Sequence, residues 1–133
     1  MRVFLVRHAE AEPGEPGEPD ELRRLTSRGR KQAQELGKRL AKQRARPAVV
    51  ISSPVLRARE TAEAIAEKLH VDVEQDDRLA PGCTADAYRD TVRGQGETVF
   101  TVGHQPDCGE IAAALTGTRE PPFPPAGVVE AAL

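Results

Sequence analysis

The chain has no tryptophan, one tyrosine and three phenylalanines, so aromatic residues make up only 3% of its 133 positions. That scarcity argues against a nucleic-acid or sugar platform, which stacks rings on aromatic side chains. The core has to be built from Val, Leu, Ile and Ala. A basic excess is also lacking: 19 Lys and Arg stand against 21 Asp and Glu, for a formal charge of −2. A polyanion binder would usually show the opposite balance, so no nucleic-acid partner is expected. The basic residues that cluster from Arg23 to Arg46 read as the solvated face of an amphipathic helix. No apolar run approaches the ~20 residues that cross a bilayer, and no apolar leader is visible. The expected setting is cytoplasmic, with no membrane partner. Cys83 and Cys108 are the two cysteines. They lack metal-ligand spacing, and reduced thiols fit them better than a disulfide. No Walker-type loop or Gly-x-Gly-x-x-Gly run is present.

Hydrophobic residues make up 38% and charged residues 30%, which fits a folded chain with one core. The expected organisation is a single domain over 1–133. Residues 2–6 read as a short buried strand. A Glu-Pro-Gly near-repeat follows, giving a flexible acidic loop at about 10–21 that should hang over the end of that strand. Thr26 or Ser27 can cap a helix to about Gln43, with Ala33, Leu36, Gly37 and Leu40 facing inward. A second strand covers 48–51. Ser53 followed by Pro54 predicts a capped helix start, with Ala58, Ala62, Ile65, Ala66 and Leu69 buried. A brief strand at 71–73 should lie near a sheet edge. Beyond a turn-rich loop come a weak helix at 86–93, a strand at 98–102 and a helix from about Asp107 to Leu115. A proline-rich linker at 120–125 leads to a fifth strand within 127–133. Alternating strands and helices predict an α/β fold: a three-layer α/β/α sandwich around a mostly parallel sheet of about five strands. Right-handed crossovers would bring the strand carboxyl ends to one edge, where ligands bind in open α/β sheets.

Three stretches meet at that edge. His8 follows the first strand beside Arg7, and a neutral imidazole there can attack phosphorus to form a phosphoramidate. Its other ring nitrogen must then donate to a carbonyl or carboxylate. A loop histidine bonded to backbone is the plainer alternative. Arg7 and Arg57 can clamp a phosphate, since a planar guanidinium holds two oxygens at once. Arg57 could instead pair on the helix surface, as Arg59 is expected to do with Glu60 or Glu63. His104 follows Gly103 at the end of the fourth strand, where a protonated ring could donate to phosphoryl oxygens as charge builds. Zinc would want a third close ligand, and His70 lies at the far end of a helix. No metal and no cofactor are expected. Cys108 more simply packs as a small apolar group.

These residues fall in blocks that resemble the histidine phosphatase superfamily. Arg7-His8-Ala9 is similar to its Arg-His-Gly signature, with Ala9 in place of the glycine. Leu25-Thr26-Ser27-Arg28-Gly29 with Gln32-Ala33 is similar to the next block. Ser52-Ser53-Pro54 through Arg57-Ala58 to Thr61-Ala62 resembles a third, and Val102-Gly103-His104-Gln105-Pro106 the block of the second histidine. The length, Leu79-Ala80-Pro81-Gly82 and Gly103-His104-Gln105-Pro106 are most similar to the short bacterial protein-phosphohistidine phosphatases of the SixA type.

The resemblance implies His8 as nucleophile, His104 as its supporting partner and Arg7 with Arg57 as phosphate clamp. It offers Arg23 as an auxiliary contact. It implies a metal-independent phosphatase acting on a phosphohistidine-bearing protein, such as a phosphotransfer domain in signal transduction. The alternatives are a small-molecule phosphomonoesterase of the same superfamily and a catalytically idle phosphate-binding module. No dedicated acid for the leaving group is evident. Gln105 stands where the acid-phosphatase branch carries an aspartate, and Glu10, Asp77 and Asp107 are the candidates.

Overall fold

In the computed structural model, which describes residues 1–43 and 46–133, five strands and four α-helices alternate along the chain. The strands are β1 (Arg2–Arg7), β2 (Val50–Ser52), β3 (Val73–Gln75), β4 (Thr98–Gly103) and β5 (Val128–Ala132). The helices are α1 (Ser27–Lys42), α2 (Leu56–Leu69), α3 (Ala85–Val92) and α4 (Asp107–Thr116). The part of the basic run that falls on Arg44 lies outside the described residues.

The sheet order is β3-β2-β4-β1-β5; β1 to β4 run parallel and β5 is antiparallel to β1. Because successive strand residues face opposite sides, β1 feeds two cores. Val3 and Leu5 join Val99, Tyr88 and Val92 of α3, and Ile111 of α4. Phe4 and Val6 join Phe100, Leu36 and Leu40 of α1, and Ala58, Ala62 and Ile65 of α2. Both faces of the sheet are covered, which is the three-layer α/β/α arrangement expected from the alternating pattern. Gly37 lets α1 and α2 approach closely, since a Cβ there would stand 2.9 Å from Lys68 Cγ.

Local chemistry sets the element ends. Thr26 caps α1, its hydroxyl accepting from Gly29 N at 2.9 Å. Thr84 caps α3 in the same way, accepting from Ala87 N at 3.1 Å. The start of α2 differs from the expectation built on Ser53-Pro54. Val55 is the N-cap residue, in an extended conformation and with no side-chain capping bond. Ser53 is diverted: its N–H prolongs the sheet by donating to Val102 O at 3.0 Å, and its hydroxyl is held by His104.

The third strand also begins two residues later than the pattern suggested. Left-handed His70 (φ 57°) ends α2, and Val71 N closes that terminus on Ala66 O. Pairing with β2 therefore begins only at Val73. No helix among the described residues is long and apolar enough to cross a membrane.

Candidate active site

The register of the parallel strands places the two histidines side by side. Arg7 is level with Gly103, and Ser52 with Val102. One residue further on, His8 N donates to Gly103 O at 3.0 Å. The imidazoles of His8 and His104 lie with ring centroids 5.3 Å apart and planes tilted by 57°. Arg57, at the start of α2, directs its Nε to His8 Nε2 at 3.3 Å. Thus His8, Arg57 and His104 share one edge of the sheet.

His8 is held as a defined tautomer. Its Nδ1 lies 2.7 Å from its neighbour's carbonyl, Ala9 O, which can only accept. The proton therefore sits on Nδ1, and Nε2 presents a lone pair toward Arg57. Burial, joined by the charges of Arg57, Arg7 and Arg23, lowers the His8 pKa from 6.5 to about 4 against the opposing bond to Ala9. The ring is neutral at physiological pH, the form that can act as a nucleophile. Thr61 fixes this turn from α2: its hydroxyl accepts from Ala9 N at 3.0 Å and donates to Arg57 O at 2.8 Å.

His104 is only 4% exposed, with Nε2 2.8 Å from Ser53 Oγ. Ser53 Oγ also accepts from Val55 N at 3.3 Å, leaving its own proton free to point at the ring. His104 Nδ1 is buried without a partner. Burial, then the neighbouring His8 and Arg57, lower the His104 pKa to about 3. Without a phosphoryl group in the site the ring is therefore neutral at physiological pH. A protonated His104 would sit unsolvated beside a guanidinium.

Arg7 lies partly buried. Its NH1 donates to Phe123 O at 2.9 Å, while its Nε is buried and unpaired. Phe123 belongs to the proline-rich linker, which crosses this sheet edge and is pinned there by Ala126 N on Arg7 O and His8 O. Arg59 pairs with Glu63 on the helix surface at 3.8 Å, the assignment made for it from the sequence. His70 is exposed at the end of α2.

The acidic loop lies over the cleft. Asp20 Oδ2 accepts from Arg57 NH2 at 3.0 Å, and Asp20 O from Arg57 NH1 at 3.0 Å. Asp20 Oδ1 accepts from Arg23 NH1 at 2.9 Å. Arg23 and Arg57 hold this carboxyl below the usual carboxylate range. The three acids considered from the sequence are placed elsewhere. Asp107 Oδ2 accepts from Gly82 N at 2.7 Å and Cys83 N at 3.2 Å, tying α4 to the preceding loop. Glu10 accepts from Thr26 Oγ1 at 3.0 Å, and Asp77 is exposed in a 3₁₀ turn. Gln105 Oε1 is occupied by Gly109 N at 2.7 Å.

Ser53, Thr61 and Asp20 were not singled out as site residues by sequence reasoning. The first two sit inside a recognised block, but spacing alone does not reveal a hydrogen bond between distant segments. Asp20 stands in a stretch without periodicity, three residues before Arg23, and that spacing is its only signal. Both cysteines are free thiols. Burial raises Cys83 to about 11 and Cys108 to about 12, so neither is an activated nucleophile. Among the described residues no cluster of three or more His, Cys, Asp or Glu could hold a metal ion.

This fold, with two histidines and an arginine gathered at the carboxyl ends of parallel strands, has a named family. The model for the histidine phosphatase superfamily (branch 1) matches residues 3–82, and the chain belongs to that superfamily. It is a hydrolase of the phosphatase class with a histidine nucleophile. A phosphohistidine phosphatase SixA homolog from Haemophilus influenzae is 32% identical over 145 residues, spanning 98% of this chain and 87% of that protein. A SixA phosphohistidine phosphatase structure from Agrobacterium tumefaciens matches with a TM-score of 0.86 and 29% identity, over 97% of this chain and 88% of that one. The protein histidine phosphatase SixA complexed with tungstate matches with a TM-score of 0.90 and 26% identity, over 100% and 88%.

Proposed function

We propose that the protein removes phosphate from phosphohistidine on another protein, through a covalent intermediate on His8. The observation that carries this reading is the His8 ring itself: neutral, with Nδ1–H fixed on Ala9 O and Nε2 facing Arg57. An imidazole so held is oriented for attack through one nitrogen only.

In this reading the phosphoryl group enters between Arg57 and Arg7, with Arg23 at the mouth. Arg57 Nε turns from His8 Nε2 to a phosphoryl oxygen, freeing the ring lone pair, and Nε2 bonds to phosphorus as the phosphorus–nitrogen bond to the substrate's imidazole breaks. The leaving imidazole takes its proton from solvent or arrives already protonated. Arg57, Arg7 and His104 stabilise the charge on the transferring oxygens. The buried Nε of Arg7 and Nδ1 of His104 lack partners, so each has capacity for such an oxygen. Water then attacks phosphorus, the bond to Nε2 breaks, and inorganic phosphate leaves with His8 neutral again.

The substrate class follows from the acids. Asp107 and Glu10 are committed to other groups, Asp77 is exposed in a 3₁₀ turn, and Asp20 is an ionised acceptor between two arginines. An alkoxide leaving group needs a general acid; a protonated imidazole does not. Phosphoramidates are therefore favoured over sugar phosphates. The relatives' descriptions as phosphohistidine phosphatases support the same choice. A phosphotransfer domain of a cytoplasmic signalling relay is the partner this reading expects. The test compares turnover of a phosphohistidine-bearing domain with that of a panel of sugar phosphates. Faster hydrolysis of the domain is expected, and faster hydrolysis of the alkyl phosphates would contradict it.

A further inference from the structure

All three nitrogens of the Arg57 guanidinium are engaged within the protein, through three of its five N–H groups. Its side chain is only 8% exposed, with Nε on His8 and both terminal nitrogens on Asp20. The other carboxylate oxygen of Asp20 meets Arg23. One carboxylate thus bridges two guanidinium groups with one oxygen on each, the arrangement two oxygens of a phosphoryl group would adopt there. An arriving phosphoryl group that bridges Arg57 and Arg23 must take the place the Asp20 carboxylate now fills.

Asp20 is attached to the fold by little else. No residue from Glu12 to Leu22 is buried, and the Asp20 side chain is 60% exposed. The hydrogen bonds within the loop are local turns, such as Leu22 N to Pro19 O and Glu18 N to Glu15 O. Its base is fastened separately, by Arg23 Nε on Glu12 O at 2.6 Å and by the Ala11–Leu25 bridge. The 3₁₀ turn Asp20–Leu22 can lift from Arg57 without unpacking any core residue.

We propose that Asp20 is a specificity-determining residue of the phosphate site: an internal counter-anion that occupies the clamp and sets the threshold an entering phosphoryl group must exceed. A doubly charged phosphoryl group displaces it, because it offers Arg57 more charge than a carboxylate does. Singly charged or weakly bound anions do not. The inference rests on the phosphate-site reading given above, and it predicts that removing the carboxylate improves anion binding, the reverse of what loss of a supporting residue would do.

The experiment is calorimetric titration of the full chain with tungstate and with inorganic phosphate at low ionic strength. The proteins are the wild type, Asp20→Asn, Asp20→Ala and Asp20→Glu. Asn and Ala variants should bind up to about fivefold tighter, the factor set by one exposed ion pair at the upper end of its range. Asp20→Glu, which keeps the charge, should stay nearer the wild type. Equal or weaker binding by the Asn and Ala variants, with wild type still binding, overturns the role of Asp20 alone. Binding by no form overturns both this role and the phosphate site itself.

Discussion

Arg57 Nε and His8 Nε2 stand 3.3 Å apart, so the arginine that can clamp a phosphate also donates to the ring nitrogen that can attack it. The geometry makes α2 responsible for both, since Thr61 on the same helix holds Ala9 and the carbonyl of Arg57. Arg57→Ala should therefore lower kcat by at least ~100-fold, the effect of removing one preorganised donor. Steady-state kinetics on a phosphohistidine substrate would measure it. A loss below about threefold, far short of that donor effect, would remove Arg57 from the clamp.

The buried bond between His104 and Ser53 yields a second expectation. Ser53→Ala leaves His104 Nε2 without a partner in a site almost sealed from water, at a cost of about 1–3 kcal/mol. The urea midpoint should fall accordingly. An unchanged midpoint would mean that the bond does nothing for the fold.

The two imidazoles make stability depend on pH. Folded, they protonate only near about 4 and about 3; unfolded, near 6.5. Between those limits the unfolded chain binds more protons, so stability is full above pH 6.5 and declines as pH falls toward 4. The slope can reach ~1.4 kcal/mol per pH unit for each histidine. Asp20, whose folded pKa is depressed, adds stability that is lost only in more acidic solution, below the unfolded carboxylate range. Urea midpoints at pH 7 and pH 5 should show the decline, and His8→Asn should remove roughly half of its slope, one of two such histidines. A pH-independent midpoint over that interval would contradict neutral burial of the two rings.

Gly29 lies where α1 meets the turn after β1. A Cβ added there would collide with the carbonyl oxygen of Glu10, which also accepts from Thr26 N at 3.0 Å. Gly29→Ala should destabilise the fold by about 1–3 kcal/mol, the usual cost of overpacking, measured by thermal or urea unfolding. A neutral outcome would show that the turn carrying Glu10 yields freely.

Much of this architecture was legible in the sequence because it rests on local pattern. The apolar runs before His8 and His104 read as buried strands from their length and β-branched content, and Thr26 is a sound helix cap. Parallel crossovers then brought the two histidines to one edge. What local pattern does not encode depends on partners far away in the chain. Ser53 reads as a cap because the sequence does not say that His104 engages its hydroxyl. The linker around Phe123 reads as a passing connection, yet Phe123 is buried and its carbonyl accepts from Arg7. After that linker β5 runs antiparallel to β1, a direction the strand pattern does not encode. Asp20 was hidden for a different reason: a loop without apolar periodicity gives no hint of which carboxylate will meet a buried arginine.

The central claim is that phosphate passes through the Nε2 of His8. It is tested most directly by mixing the protein with a ³²P-labelled phosphohistidine domain and quenching within a single turnover. Label should appear on this chain, be released by acid, map to His8, and vanish in His8→Ala while that variant still folds. Release of phosphate with label never passing through the chain, or label on another residue, would contradict it.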